Sequence, residues 1–306
     1  MREKLEIGLI GTVTFDKITS DAGDVYRGLG GILYQASVLS ALEKHVLLFT
    51  NLGRDLVGPV GRATVRWDTF HDEGIRYVPG PGNQVHLYYP KMGERQEILN
   101  SVVPPLDPQG VLARLNRLRM LVFVVNSGFD IILSDWRRVV DAADCPIWLD
   151  IHSLVLSREL KTPRKFLSEV PWKDWARGVT YLQLNRAELG CLLGRIGQDL
   201  PAKEIELFGQ SAFNLGLQAV FLTLGRDGVR VITPEHDRLL VPSLAAKVKD
   251  TTGCGDVFCA ATVKELADGM DLFSAAKAGV ELATRATTVK GVGETFDLIR
   301  RAIKGL

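Results

Sequence analysis

The sequence predicts an α/β fold: a doubly wound, mostly parallel sheet flanked by helices, with a small β lid. Three observations carry that reading. Short runs that are apolar at every position recur along the chain, longer stretches of helical character separate most of them, and two polar or aromatic segments fit neither pattern. Uninterrupted apolar runs are how parallel strands buried on both faces read, because neither face alternates toward water. With 306 residues, 46% apolar and 24% charged, the chain has the composition of an ordinary globular protein and the length for one large core.

Taken in order, residues 5–11, 46–50, 120–126, 147–151, 180–185 and 219–224 are the candidate strands, with helical segments between most of them. After Leu224 comes a Gly-Arg-Asp-Gly turn. The alternating residues 229–233 and the run 238–244 then read as a hairpin-rich sheet edge. Two helices are expected to close the sequence. One follows Thr252-Gly253-Cys254-Gly255, and the other spans roughly 271–290 with small residues recurring along it. The two segments outside this layering are residues 12–29, polar and glycine-containing, and 84–99, where Val-His-Leu-Tyr-Tyr suggests a strand. They are expected to pair as a lid inserted in a single domain, 1–306, with no internal repeat and no low-complexity linker.

Composition narrows the partners. Thirty-seven basic and 36 acidic side chains give a formal charge of +1, and no block of five or more like charges interrupts the chain, which disfavours nucleic acid. Cys145, Cys191, Cys254 and Cys259 form no CxxC pair and no metal spacing, which points to free thiols in a reducing compartment. The opening residues lack the apolar segment of a signal peptide, and the most apolar stretch, near 120–125, is far short of the roughly 18 to 20 residues that cross a bilayer. The expectation is a cytoplasmic protein with no membrane partner.

The most informative stretch is Asp250-Thr-Thr-Gly-Cys-Gly-Asp256-Val-Phe-Cys-Ala-Ala261, a glycine-rich turn running into an apolar helix. Successive backbone N–H groups at a helix N-terminus, reinforced by the helix dipole, suit a phosphate or the charge that develops in a transition state. A carboxylate at that mouth makes sense if it must take a proton from an attacking hydroxyl. The plainer alternative is an acidic residue favoured by the helix dipole after a turn.

This stretch resembles the Asp-Thr-x-Gly-Ala-Gly-Asp signature of the PfkB, or ribokinase-like, carbohydrate kinases, with Cys254 in place of the usual small residue. The resemblance implies that Asp256 is the catalytic base and that Gly253, Cys254 and Gly255 form the anion hole. It runs in order over nearly the full length. Ile7-Gly-Leu-Ile-Gly-Thr-Val-Thr-Phe-Asp16 is similar to the family's first strand and its substrate-binding Asp, and Asn51-Leu-Gly-Arg-Asp-Leu-Val-Gly58 to its Gly-x-Asp-x-x-Gly turn.

Asn185-Arg-Ala-Glu188 resembles the Asn-x-x-Glu motif that orders the water shell of the Mg²⁺ accompanying ATP, and it is also a capping box; one residue pair can serve both ends. Thr223-Leu-Gly225-Arg-Asp-Gly228 resembles the nucleotide-site segment, whose alternative is a plain strand-to-hairpin turn. The implied nucleotide contacts are Thr223, Gly225, Gly228 and Asn185. Near Asp150-Ile-His152-Ser the match is partial, and individual adenine contacts are not assigned.

The departures concern the acceptor. Where the family has Gly-Gly, small residues and then an Asn that contacts the sugar, this chain reads Gly30-Gly31-Ile-Leu-Tyr-Gln35. Asp16, Gly30, Gly31 and Gln35 are the implied substrate contacts, with an alternative in which Ile32, Leu33 and Tyr34 pack the next helix and the true contacts lie elsewhere. A lid suits such chemistry because water would compete with the acceptor hydroxyl.

The chain has no Walker A sequence, no Gly-x-Gly-x-x-Gly after the first strand and no His-Glu-x-x-His. The resemblance implies ATP- and Mg²⁺-dependent phosphorylation of a hydroxyl on a sugar, sugar derivative or nucleoside. The alternative is a catalytically inactive sugar or nucleotide sensor on the same fold. Homodimerisation through lid strands is implied by analogy.

Overall fold

The computed structural model describes residues 6–21, 23, 25–91, 96–243 and 247–305. The fourteen described strands are β1 (Glu6–Ile10), β2 (Val13–Ser20), β3 (Val25–Gly31), β4 (His45–Gly53), β5 (Phe70–His71), β6 (Ile75–Val78), β7 (Asn83–Tyr89), β8 (Gln96–Ser101), β9 (Leu118–Val124), β10 (Ile147–Asp150), β11 (Tyr181–Asn185), β12 (Ala219–Thr223), β13 (Val229–Ile232) and β14 (Asp237–Leu240). The helices are α1 (Leu33–Ala41), α2 (Val57–Thr64), α3 (Gln109–Leu112), α4 (Leu133–Ala142), α5 (Trp172–Ala176), α6 (Arg186–Leu192), α7 (Ala202–Phe213), α8 (Cys254–Ala267), α9 (Leu272–Ala286) and α10 (Gly291–Lys304).

The main sheet runs β14-β13-β12-β11-β10-β9-β1-β4-β5, with β6 also beside β4. From β12 to β5 every neighbour is parallel; only β13 and β14 run antiparallel, as the predicted edge hairpin. The apolar runs are explained by two-faced burial. Met120, Val122 and Val124 of β9 join a core shared with α1, α8, α9 and α10, whereas Leu121, Phe123 and Val125 join a second core shared with α4, α5 and α7. With both faces of the central strands covered, polar side chains collect at their carboxyl ends: Asp150, Asn185 and Thr223 are the last residues of β10, β11 and β12, and Asn126 follows β9.

The two segments outside the layering form a separate four-stranded sheet in the order β3-β2-β7-β8. The two segments meet where β2 lies parallel to β7, Asp16 opposite Val85. This sheet reaches Gly31 and Ser101, two residues past each expected segment, while residues 22, 24 and 92–95 of those segments lie outside the described residues. So do Leu5 of the first expected strand and Leu244 of the last hairpin run.

One expectation fails at the carboxyl end. Three helices, not two, follow the glycine-rich turn. Helix α9 stops at Ala286, and the Thr287 carbonyl accepts the backbone N–H groups of Lys249 (2.7 Å) and Asp250 (3.1 Å), so the chain entering the glycine-rich turn claims the acceptor at that helix end. Gly291, at φ 73°, then restarts the chain, and Val292, Phe296 and Ile299 bury one stripe of α10. That i, i+4, i+7 spacing is a helical signature which the recurrent small residues upstream obscured.

The lid is pinned to the main body on the β8 side. Arg164, whose side chain is wholly buried, donates from Nη1 to Glu97 Oε1 on β8 (2.7 Å) and to Ser153 Oγ (3.1 Å), from Nη2 to the carbonyls of Ser127 (3.0 Å) and Ser153 (3.4 Å), and from Nε to the Ser157 carbonyl (2.8 Å). These bonds occupy all five guanidinium N–H groups. Backbone bonds from Lys161 to Leu99 and from Arg164 to Glu97, each 2.8 Å, line the same edge. Replacing Arg164 by Met removes the cation that faces the buried Glu97 carboxylate and is expected to cost about 3–5 kcal/mol of unfolding free energy. In urea titrations the double variant Arg164→Met/Glu97→Leu should recover part of that loss, and equal losses in the single and double variants would exclude the pair as the pin.

Candidate active site

The glycine-rich turn is shaped by local geometry. Asp250 Oδ1 accepts the N–H of Thr252 (2.9 Å), the Thr251 carbonyl accepts that of Cys254 (3.2 Å), and Gly253 caps α8 at φ 81°. A Cβ on Gly253 would lie 2.5 Å from the ring of Tyr34, so the glycine both adopts the left-handed conformation and admits α1's tyrosine against the turn. Asp256 follows in the first turn of α8, where the leading amides have no intrahelical acceptor.

A cavity of about 1080 Å³ runs between the lid and the carboxyl edge of the main sheet. Gly253, Cys254, Gly255 and Asp256 line its middle, Asp16 and Gly31 its lid side, and Thr223, Gly225, Gly228, Asn185 and Glu188 the side toward β12 and α6. The structure thus brings eleven of the thirteen sequence-assigned positions to the wall of one cavity. The other two described positions take different places. Gly30 lies under Asp16, where any Cβ would come within 2.0 Å of its Oδ2, and Gln35, fully buried on α1, points at Asp256: its Nε2 donates to Asp256 Oδ1 (2.5 Å).

Asn185 and Glu188 form the complete capping box of α6. The Asn185 carboxamide accepts the Glu188 N–H (2.9 Å), and the Glu188 carboxylate accepts the Asn185 backbone N–H (2.7 Å) and side-chain amide (2.5 Å). His152 Nδ1 lies 3.4 Å from Glu188 Oε1. Burial opposes charge on that imidazole, but the bond to Glu188, with the charges of Glu188, Glu97 and Asp150, prevails and lifts it to about 9. The buried Asp150 carboxyl is pushed well above the usual range, by burial first and then by the negative charge of Glu188 and of Asp256. A carboxyl raised in this way by its neighbours' negative charge favours a bound cation. Among the described residues no group of three or more His, Cys, Asp and Glu is placed to hold a metal ion directly.

Sequence reasoning missed several residues of this neighbourhood. Gln183 donates from Nε2 to the Gly255 carbonyl (3.1 Å) and so braces the start of α8. Its only sequence signal is a polar residue inside an apolar strand. Tyr89 of the lid meets Thr252 hydroxyl to hydroxyl (3.0 Å), beside the turn. Asn126, at the end of β9, and Arg164 also reach the cavity wall. His152, which sequence motifs alone left out, lines it too.

Comparison with known proteins follows the same division. Residues 164–298 match the family of pfkB family carbohydrate kinases. That segment is a PfkB-family one. It contains the turn at 253–256, Asn185, Glu188 and the 223–228 segment, and it excludes Asp16, Gly30, Gly31 and Gln35. The bifunctional protein HldE of Stutzerimonas stutzeri is 33% identical over 110 residues, 35% of this chain and 22% of that protein, so the match spans about a fifth of that relative's length. Over the whole chain the similarity is one of fold. A ribokinase of Arabidopsis thaliana complexed with ribose and ATP superposes at a TM-score of 0.74 with 17% identity, covering 97% of this chain and 99% of that one. An adenosine kinase of Sinorhizobium meliloti superposes at 0.78 with 16% identity, covering 99% and 100%. The PfkB segment thus sits on a ribokinase fold, as the sequence resemblance implies.

Burial, with the charges of Asp250 and Asp256, pushes the Cys254 thiol up to about 12. Its thiolate fraction at neutral pH is then on the order of a thousandfold below that of an ordinary thiol. Iodoacetamide at pH 8, followed by peptide mass mapping, should label Cys254 far more slowly in the folded protein than after denaturation; equal rates would show that the turn is open to reagent and solvent.

Proposed function

We propose that this chain is an ATP-dependent kinase that phosphorylates a hydroxyl of a sugar, sugar derivative or nucleoside. The observation that carries the reading is the convergence, on one cavity wall, of a carboxylate and a glycine-rich helix start: Asp256 beside Gly253, Cys254 and Gly255, with Asp16 across from them on the lid side. Phosphoryl transfer demands mainly positioning and charge stabilisation, and this wall supplies both kinds of group.

In this reading Asp16 and Gly31 hold hydroxyls of the acceptor, and Asp256 takes the proton from the attacking one. That oxygen bonds to the γ-phosphorus as the bond to the β-phosphate oxygen breaks, and ADP leaves. The amides at the start of α8 face the charge on the transferred group, while Thr223, Gly225 and Gly228 flank the nucleotide. Asn185 and Glu188, with Asp150 beside them, would hold the water shell of Mg²⁺, which when bound offsets negative charge on the phosphates. His152 orients the Glu188 carboxylate from the other side.

The lid excludes water, and the chain acts as a single kinase domain with lid segments at 12–29 and 84–99. For pairing with a second copy the lid offers β3, because residues 161 and 164 of the same chain already occupy the edge of β8. Among the described residues no helix is long and apolar enough to cross a membrane.

The test is ADP release from Mg-ATP across pentoses, hexoses, sugar phosphates and nucleosides. An acceptor on this panel should support turnover, and Asp256→Asn should reduce it by about 10²- to 10⁴-fold. Turnover unaffected by the substitution would remove Asp256 as the base. A silent panel with ligand binding intact would replace the kinase reading with that of a sensor.

A further inference from the structure

We infer that Gln35 is a positioning residue for the base and not a contact of the acceptor; the inference deepens the kinase reading and rests on it for the role of Asp256. All nine residues of α1 are buried, and Gln35 is among the most deeply buried, at 0% exposure. Its neighbours on the helix include Leu33, Ala36, Val38 and Leu39, all in the core. A residue needed there for packing alone would be apolar. Instead a carboxamide is buried with its Oε1 lacking any hydrogen-bond partner, which costs free energy that an apolar side chain would avoid. Its one polar contact shown in the structure is the bond from Nε2 to Asp256 Oδ1 at 2.5 Å.

The geometry gives that bond three consequences. It fixes the rotation of the Asp256 carboxylate, with Oδ1 turned toward α1. It favours the charged form, which is the form that accepts a proton. It also requires the longer amide, since an Asn on the same backbone would fall short by about one C–C bond, roughly 1.5 Å. Tyr34, one residue earlier, lies against Gly253, so consecutive residues of α1 back the turn and the base in turn. The titratable groups around Asp256 are Tyr34 from α1, Cys254 and Cys259 from α8 and Asp150 from the end of β10, with Glu188 and His152 behind Asp150; α9 contributes Val280, Ala283 and Thr284 to the wall.

Three variants read this out in the full chain, after thermal melts establish that each is folded: Gln35→Met, which keeps the length and loses the donor, Gln35→Asn, which keeps the donor and loses the reach, and Asp256→Asn as control. With an acceptor found on the panel, Gln35→Met should lower kcat by about 10- to 100-fold, the loss that matches a hydrogen bond to a charged group. The KM for the acceptor should stay within about twofold, and the acidic limb of the kcat profile should move to higher pH, because a donor to the charged form has been removed. Gln35→Asn should behave in the same direction. A rise in acceptor KM at unchanged kcat would make Gln35 a substrate contact and overturn the inference, as would unchanged kinetics. If Asp256→Asn leaves turnover intact, the assignment of the base falls and not the contact. The contact is then read without turnover, by ¹³C NMR titration of the Asp256 carboxyl: a higher midpoint in Gln35→Met supports the contact, and an identical midpoint overturns it.

Discussion

A parallel sheet buried on both faces leaves few places to present polar groups, and this constraint organises the whole molecule. Apart from Arg119 near the start of β9, the residues of β9, β10 and β1 are buried, so the side chains that bind, carry charge or move protons gather at the carboxyl ends of the strands or just past them. Asn126, Asp150, Asn185 and Thr223 are such residues, from four adjacent strands in the order β9-β10-β11-β12. Helix α8 delivers its glycine-rich start to the same edge, and the second sheet roofs it. The cavity exists because two apolar cores, packed from either side, push all polar chemistry to one rim.

Much of this was legible in the sequence because it follows from local rules. Two-faced burial writes itself as unbroken apolar runs, and six expected strands correspond to β1, β4, β9, β10, β11 and β12. The turn at 250–256 was legible because glycine is needed for the positive φ at 253. What was hidden depends on distance. Gln35 and Asp256 are 221 positions apart, and only the packing of α1 on α8 turns the amide toward the carboxylate instead of the cavity. No sequence pattern marks Arg164; its burial follows from carbonyls at Ser127, Ser153 and Ser157 that lie apart from it in the chain. The final helix was missed although its spacing was present, because the preceding run of small residues carried the eye past Gly291.

The site also divides along the chain. The residues that would serve the phosphates fall within 164–298, the segment that matches the PfkB family, and those that would face the acceptor lie before it, in β2 and β3. The first group consists largely of backbone and capping features, which tolerate sequence change as long as glycine and the capping box persist. In the proposed reading the second rests on the Asp16 carboxylate and the backbone of Gly31, both presented by the lid.

The closure of β8 by residues 161–164 has a consequence for how the chain comes off the ribosome. When synthesis has reached Ser101 all four lid strands exist, yet the segment that covers their outer edge is still about sixty residues away. Through that interval the nascent chain carries an unpaired strand edge, the kind of surface on which other chains nucleate. Arg164 therefore arrives as a late fastener, and the same buried bond that holds the finished lid also ends the period in which the growing chain is most exposed to aggregation.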